Sequence, residues 1–379
     1  MIVESRLIEL FKELCLIDAP ALAEADSVAY TKALLTSIGL EVWEDEAGKA
    51  IGGNANNLIA RLPATNPDAP TIFLSAHFDT VEPTAGLEIE ERDGVFYSSS
   101  DTILGADDKA GMAPAIEAVR ALMESGAPHG TVYLLLSVAE EIGLLGAGAL
   151  KIEELDIDFG YVLDTGPPVG TYVTRTATHD KLDVTIHGIP AHAGKDPEKG
   201  VNAIEVLADA VHGMKLGRIG PETTANIGIV HGGTGTNVVC AKVEVKAEAR
   251  STSTADLDAQ VDHMIQRFEE AARNRGAKVE ITHRREYLAY EVPADAPVVQ
   301  IAAEVSREMG LEPTLRTTLG GSDANRYNAK GVPTIVMGTG MEKIHTHDEH
   351  VSRKDLVLMA ELCFNLLKKV GTLSKSQVR

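Results

Sequence analysis

Two adjacent carboxylates mark residues 104–111, LGADDKAG. Asp107 and Asp108 stand between a glycine-bearing turn and a segment of helical character, AGMAPAIEAVRALME. Because adjacent acids repel each other, a buried pair of carboxylates requires a positive charge close by. This stretch is therefore the first candidate for a site that binds a cation.

Further carboxylates and a histidine stand at the ends of neighbouring apolar runs. SAHFDTV supplies His77 and Asp79, and SVAEEIGLLGAG supplies Glu140 and Glu141. Asp164 ends the apolar run VLD, where burial of an unpaired carboxylate would be costly. One histidine together with several carboxylates is typical of a divalent metal site.

Two of these patterns have ordinary alternatives. Side chains two apart in a strand share a face, so His77 and Asp79 could point at one site, yet Asp79 could equally cap a strand end. Consecutive Glu140 and Glu141 at a strand end would point in different directions, so that one binds metal while the other acts as general base. An isolated Glu-Glu pair is more often an exposed acidic turn.

KIHTHDEHV holds His345, His347 and His350 beside the last predicted strand. Chemistry alone does not say which of the three binds metal. Five acidic or histidine positions fall at the C-terminal ends of predicted parallel strands, where open α/β sheets place their active sites. Three carboxylates and two histidines suit two zinc-like ions about 3.5–4 Å apart with a bridging carboxylate, and Asp107 or Asp108 is the natural bridge.

Composition narrows the class of protein. The net charge is −21, from 56 acidic and 35 basic residues, which argues against nucleic acid or anionic membranes as partners. The three cysteines are widely spaced without a CxxC pair, so neither a disulfide framework nor a cysteine zinc site is predicted. Charged residues interrupt the apolar positions of the N-terminal segment, and no apolar run could span a membrane. We therefore expect a cytoplasmic protein.

The order of predicted elements indicates two domains in 379 residues. Strands alternate with helices in the first part, which predicts an α/β fold with a mainly parallel sheet and helices on both faces. After residue 178 the order β-α-β-β-α-β predicts an inserted α+β, ferredoxin-like domain. We expect helices over residues 3–16 and 21–40, a strand and turn in EVWEDEAG, and a hairpin around Asp93-Gly94.

The motifs SAHFDTV, GADDKAG, AEEIGLLGA, VLDTG and IHTHDEHV stand in the order and spacing of the M20 metallopeptidase family, which the chain resembles over nearly its whole length. That family includes peptidase T and carboxypeptidase G-type enzymes. The resemblance implies two divalent metal ions, expected to be Zn²⁺, in a catalytic domain formed by residues 1–177 and 291–379. It also implies that residues 178–290 form a lid through which two chains could dimerise.

Residue by residue, the resemblance implies one ion held by His77, Asp107 and Asp164, and another held by Asp107, Glu141 and His345. Asp79 would orient or tune the site, and Glu140 would be the general base on the bridging water. The family pattern of a histidine followed by Ser or Thr, with a glutamate four residues after the histidine, selects His345, with Glu349 as the glutamate. Asp108 would then lie outside the ligand set, joined to Asp107 by a cis peptide bond.

The resemblance also implies substrate contacts. GIPAHAGKDPEKGVNA is similar to the lid motif whose histidine, here His192, polarises the scissile carbonyl, in dimeric relatives from the neighbouring subunit. Arg250 in KAEARS would pair with a substrate carboxylate, and Asn237 in GGTGTNVV would hydrogen-bond the substrate. Ser322 and Asp323 would contact it from the loop GGSDANRY, residues 320–327. The alternatives are that His192 is a loop histidine without a partner and that Arg250 is a surface arginine.

The implied activity is that of a dinuclear zinc exopeptidase acting on short peptides. GADDKAG and VLDTG are most similar to peptidase T-like enzymes, which implies an aminopeptidase on tripeptides. Carboxypeptidase, dipeptidase and N-acyl-amino-acid deacylase activities stay open, because the sequence shows neither an acidic partner for a free amine nor an apolar pocket for an acyl group. A catalytically silent binding protein would have lost a ligand or the base, and none is missing. The Glu-Glu pair with the histidines disfavours a single-metal sugar or phosphate hydrolase.

Overall fold

A computed structural model describes residues 1–379 of the chain. The α-helices are α1 Glu4–Leu16, α2 Ala25–Ser37, α3 Ala47–Ile51, α4 Ala106–Ser125, α5 Leu145–Ala149, α6 Ala203–His212, α7 Thr254–Arg275, α8 Pro297–Glu308, α9 Asp323–Ala329 and α10 Arg353–Gly371. The first eight β-strands are β1 Glu41–Glu44, β2 Leu58–Leu62, β3 Ile72–His77, β4 Ile89–Arg92, β5 Val95–Ser98, β6 Val132–Ser137, β7 Phe159–Val162 and β8 Thr171–Arg175. The others are β9 Thr178–His187, β10 Gly217–Gly220, β11 Thr223–Gly232, β12 Lys242–Ser251, β13 Lys278–Tyr287, β14 Thr314–Thr317, β15 Thr334–Met337 and β16 His350–Ser352.

The chain forms two compact units. The first contains residues Met1–Thr174, Glu291–Thr317 and Ser322–Arg379, and the second contains Arg175–Tyr290 and Thr318–Gly321. The second unit thus includes a short segment near residue 320 that the sequence does not set apart. The catalytic and lid roles of the two units stay predictions.

The first unit is built on an eight-stranded sheet of order β1-β2-β6-β3-β7-β15-β8-β14. β3 pairs in parallel with both β6 and β7, and β15 pairs in parallel with β7. Every residue of β3 and β6 is buried, as expected for strands covered on both faces. The predicted α/β fold with a mainly parallel central sheet is therefore confirmed.

A glycine lets α4 approach the end of a sheet strand. A Cβ atom on Gly111 would lie 2.0 Å from the carbonyl oxygen of Leu163, so no other residue fits here without displacing the helix. Leu163 follows β7, and Asp107 lies in the first turn of α4. Gly111, the second glycine of LGADDKAG, therefore permits the close packing of this helix beside Asp164.

The second unit is a five-stranded sheet of order β10-β11-β12-β9-β13 with α6 and α7 packed against it. Its core contains the inward-facing residues of β9 and β12 together with one face of α7. Without the short β10, the strand order is the one expected of a ferredoxin-like fold, which confirms that prediction. None of the chain's helices combines the length and hydrophobicity needed to cross a bilayer.

Local structure departs from the predictions at three places. The second helix begins at Ala25 rather than residue 21, since Leu22 has φ +71° and cannot continue a helix. The end of EVWEDEAG forms the start of the short helix α3, at Ala47, instead of a turn, and the predicted loop 320–327 becomes helical at Asp323. The hairpin between β4 and β5 is confirmed, with φ +52° at Asp93 and +77° at Gly94.

Candidate metal centre

The predicted metal ligands lie beyond the same edge of the parallel strands. His77 is the last residue of β3, Glu141 lies in the turn after β6, and Asp164 follows β7. His345 lies in the loop that follows β15. Because these four strands are parallel neighbours, their carboxyl ends meet, which is where α/β sheets place their sites.

The first group of possible ligands is centred on His77. Its Nε2 atom lies 3.2 Å from Asp107 Oδ1 and 3.9 Å from Asp164 Oδ1. One ligand atom from each of these three residues lies within 4.8 Å of the others, a spacing that suits a single ion.

The second group uses the other oxygen of the same aspartate. His345 Nε2 lies 3.2 Å from Asp107 Oδ2 and 2.9 Å from Glu141 Oε1. These ligand atoms also lie within 4.8 Å of one another. Asp107 therefore turns one oxygen to each group, as a bridging carboxylate must.

Asp108 is oriented differently from its neighbour. Its Oδ2 accepts the backbone N–H of His77 at 3.3 Å, and its Oδ1 has no hydrogen-bond partner. The Asp107–Asp108 peptide bond is cis, as the resemblance implies. Of the two candidate bridges left open by the residue pattern, the geometry favours Asp107.

Among the three histidines of IHTHDEHV, His345 alone joins a ligand group. His347 Nδ1 lies 3.2 Å from Asp101 Oδ1 at an exposed position. The ring of His350 stacks on Tyr97 with 5.1 Å between centroids. The histidine that lies beside Asp107 and Glu141 is thus the one that the family pattern selects.

Asp79 belongs to neither group of possible metal ligands and instead hydrogen-bonds residues that do. The strand ends at His77, so the alternation of a strand does not extend to Asp79. His77 Nδ1 donates to the Asp79 carbonyl oxygen at 2.8 Å, which leaves Nε2 free to bind a metal. The Asp79 carboxylate accepts the backbone N–H groups of Glu140, at 2.9 Å, and Glu141, at 3.0 Å.

The electrostatics of the site favour an added positive charge. Burial raises the pKa of Glu140 well above its usual range. Burial and the neighbouring charge of Asp107 do the same to the pKa of Asp164. Conversely, hydrogen bonds to Asp107 and Glu141 raise the pKa of His345 to about 10. The raised pKa of His345 reflects the surrounding negative charge, whereas burial is the main cause for the two carboxyl groups, and a bound cation would favour their ionised form.

The donor set fits divalent cations. Two imidazole nitrogens and three carboxylates, one of them shared, match the ligands that zinc-like ions prefer. The buried Lys109 donates its Nζ to the Phe78 carbonyl oxygen and makes no hydrogen bond to the predicted ligands.

Glu349 contributes more than the sequence predicts. It accepts the backbone N–H groups of Gly105 at 2.6 Å and of Ala106 and Asp107 at 3.2 Å. Burial raises its pKa to about 7. It holds the turn that presents Asp107, and its spacing from His345 was the one available signal.

Ser322 and Asp323 belong to the first unit and are buried. Asp323 Oδ2 accepts a hydrogen bond from the Ser137 hydroxyl at the end of β6, while its Oδ1 has no partner. Burial raises the pKa of Asp323 to about 6. Both residues lie at the start of α9 rather than in the predicted loop.

His192, Asn237 and Arg250 belong to the second unit. The backbone N–H of Ala193 donates to the Asn237 carbonyl oxygen at 2.9 Å, so the segments carrying His192 and Asn237 are neighbours. Arg250 bonds Glu248 Oε2 at 3.1 Å and the Leu319 carbonyl oxygen at 3.2 Å. It is therefore a paired arginine rather than a free surface residue.

Comparison with known proteins agrees with this geometry. The profile of Peptidase family M20/M25/M40 matches residues 73–369. A tripeptidase from Staphylococcus aureus subsp. aureus Mu50 is 40% identical, with a TM-score of 0.93 over 98% of this chain and 100% of that one. Aminopeptidase PepT from Bacillus cereus ATCC 10987 is 40% identical, with a TM-score of 0.88 over 97% and 99% of the two chains.

A relative of unassigned activity is similar over the same length. The uncharacterized protein YqjE of Bacillus subtilis strain 168 is 39% identical over 98% of this chain and 100% of its own length. The family profile covers most of the chain, including every predicted metal ligand. The chain therefore belongs to peptidase family M20/M25/M40 and is a metallopeptidase.

Proposed function

We propose that the protein is a dinuclear zinc aminopeptidase that removes the N-terminal residue from tripeptides. The observation that carries the proposal is the orientation of Asp107, whose two oxygens face two separate groups of ligands. A carboxylate oriented in this way could bridge the two ions of a hydrolytic site.

The ligands proposed for one ion are His77, Asp107 and Asp164, and those for the other are Asp107, Glu141 and His345. Ions bound there would supply polarisation of the substrate carbonyl and a water of lowered pKa. Mixed imidazole and carboxylate donors support zinc as the metal.

Glu140 is the proposed general base. Its side chain is buried beside the ligand groups, and its backbone is fixed by the hydrogen bond to Asp79. The raised pKa of this carboxyl brings it towards the value at which a group both accepts and returns a proton near neutrality. Glu140 would take a proton from the attacking water and pass it to the leaving amine.

Tripeptides are the proposed substrates because two relatives at 40% identity are named as an aminopeptidase and a tripeptidase. Asp323 and Ser322 in the first unit, and Asn237 and Arg250 in the second, are the proposed substrate contacts. His192 is the proposed group that polarises the scissile carbonyl.

A homodimer through the second unit is part of the proposal. β10 pairs only with the first residues of β11, which leaves residues 226–232 as an open strand edge. Ile229 and Val230 on that segment are 45% and 50% exposed. An open edge with exposed apolar residues favours pairing with a second chain.

Three free, buried cysteines support a reducing compartment, the cytoplasm.

Product analysis tests the proposed reaction. Zinc-loaded protein would be incubated with di-, tri- and tetrapeptides, N-blocked peptides and N-acetyl amino acids, each with and without chelator, and the products identified by mass spectrometry. We expect chelator-sensitive release of the N-terminal residue from free tripeptides. Cleavage of N-blocked substrates alone would place the enzyme with the carboxypeptidases or deacylases of the family.

A further inference from the structure

The turn that carries Glu140 and Glu141 is held by an unusual set of hydrogen bonds. Four consecutive backbone N–H groups after β6 donate to side chains instead of backbone carbonyls. The pairs are Val138 to Asn57 Oδ1 at 3.1 Å, Ala139 to Glu24 Oε1 at 2.8 Å, Glu140 to Asp79 Oδ1 at 2.9 Å, and Glu141 to Asp79 Oδ2 at 3.0 Å. We refer to Glu24, Asn57 and Asp79 as the amide clamp.

The clamp residues are fully enclosed by protein. Glu24 and Asp79 are 0% exposed, and Asn57 is 1% exposed. A buried N–H group that loses its acceptor is destabilising, and water has no access to take the place of these side chains. The turn also contains Ala139 at φ +52°, a conformation that a non-glycine residue adopts only when its surroundings impose it.

Each clamp residue comes from a different part of the chain and is itself fixed. Glu24 Oε1 also accepts the Leu22 N–H at 3.0 Å. Asn57 Nδ2 donates to Asp45 Oδ2 at 2.7 Å and to the Gly146 carbonyl oxygen at 2.8 Å. A Cβ atom on Gly146 would lie 2.4 Å from Asn57 Oδ1, so the chain after the turn closes tightly over the clamp.

Glu24 and Asn57 lie outside the span matched by the family profile, residues 73–369, whereas Asp79 lies within it. The N-terminal part of the chain therefore has a direct connection to the site. Neither residue contacts the ligand groups themselves, and each acts on the backbone of the turn.

We propose that Glu24 and Asn57 are positioning residues that hold the turn so that the Glu140 carboxylate and the Glu141 ligand atom stay in their working places. The inference rests on the proposed role of Glu140 as general base. Hydrogen bonds outside the ligand set commonly fix the orientation of metal ligands, and a displacement of about 1 Å can cost 100-fold in rate. Loss of the Glu24 acceptor should therefore lower kcat more than it changes KM.

Two substitutions of Glu24 distinguish the effect of its acceptor oxygen from the effects of its size and charge. Glu24→Met removes the acceptor at similar size, whereas Glu24→Gln keeps an oxygen for both backbone donors and changes only Oε2, which has no partner. Thr31→Val is the matched control, since Thr31, on the neighbouring helix α2, is likewise buried and its hydroxyl has no partner. Kinetics would be measured on zinc-loaded enzyme with metal content verified.

We expect Glu24→Met to lower kcat about tenfold or more with KM within about twofold, and Glu24→Gln and Thr31→Val to stay within about threefold of wild type. An unchanged kcat in Glu24→Met overturns the inference, as does an equal loss in Glu24→Gln. If Glu24→Met does not fold, Glu24→Asp provides the same test, because its carboxylate is withdrawn by one methylene.

Hydrogen exchange separates failure of this inference from failure of the proposed function. In Glu24→Met the amides of residues 138–141 should exchange about tenfold faster than in wild type, while Glu24→Gln keeps their protection. Unchanged protection would overturn the clamp whatever the enzyme cleaves. Wild-type protein that cleaves no peptide would instead refute the proposed function, and the exchange rates would still decide the inference.

Discussion

Buried carboxylates of the candidate metal centre and the buried Asp180 of the second unit have opposite surroundings. In the second unit, Asp180 is 0% exposed and is bonded by Arg285, at 2.9 and 3.0 Å, and by His283, at 2.7 Å. Although burial raises its pKa, these bonds outweigh burial and bring the pKa below the usual value. In the first unit, burial raises the pKa of Glu140 and Asp164, and no arginine or lysine is bonded to either carboxylate.

This difference indicates that Asp180 has a structural role, whereas Glu140 and Asp164 have a functional one. Asp180 is neutralised by protein cations and can serve stability at any pH above its own titration. Glu140 and Asp164, by contrast, are buried without a bond to an arginine or lysine, which is typical of a site that receives its positive charge from a bound ion. Substitutions in the two regions should therefore affect different observables.

The largest effect is expected in the first unit, from Glu140→Gln. Loss of the general base should lower kcat about 10³-fold, because acid–base catalysis by one side chain contributes about 10² to 10⁴. Metal content should not change, and the melting temperature should stay the same or rise, since a crowded negative charge is removed. Steady-state kinetics, metal analysis and thermal unfolding check the three parts, and retained turnover would refute the role of Glu140.

The converse substitution, Asp180→Asn in the second unit, should change stability and leave the chemistry alone. It removes a buried charge partner of Arg285, which keeps a bond to Asp258 at 2.6 Å. Because the arginine is partly exposed and retains that partner, we expect a loss of about 2 kcal/mol of unfolding free energy, below the value for a fully buried pair. Denaturant unfolding measures this loss of free energy. A large fall in kcat with unchanged stability would contradict the structural role of Asp180.

A smaller effect is expected from the pH dependence of Glu248. Its hydrogen bond to His179, at 2.9 Å, and its bonds to Arg250 lower its pKa from 4.5 to about 2. A lowered folded-state pKa contributes stability that is present above about pH 4.5 and is lost as the pH falls towards 2. Because the carboxylate is partly exposed, this contribution is about 1 kcal/mol or less.

Glu248→Gln should therefore flatten the decline of stability between about pH 4.5 and 2 without affecting it near pH 7 beyond the lost charge pair. Unfolding measured across this range checks the prediction. A variant whose stability declines as steeply as that of wild type would show that Glu248 is not a source of the acid sensitivity.

The sequence predicted the parts of the site that are encoded as short motifs. His77 and Asp164 stand at the ends of apolar runs whose parallel arrangement follows from their composition. Their convergence could be predicted because parallel strands present their carboxyl ends at one edge. The choice of His345 required a family pattern, since all three histidines of IHTHDEHV have the same chemistry.

The supporting hydrogen bonds could not be predicted. Glu24 contacts Ala139 across 115 residues and Asn57 contacts Val138 across 81, and neither has a local pattern that marks it. The helical start of α9 was missed because GGSDANRY contains turn-forming residues, although Ser322 and Asn325 form a capping box. Long-range contacts of single polar side chains depend on the completed fold, and composition and periodicity do not reveal them.

Metal stoichiometry tests the central claim most directly. Wild-type protein, His345→Ala and the control His347→Ala would be incubated with excess Zn²⁺, freed of unbound metal and analysed by mass spectrometry of the elements. We predict two ions per chain for wild type and His347→Ala, and one for His345→Ala. A single ion in wild type, or equal metal content in the two histidine variants, would contradict the two ligand groups that share Asp107.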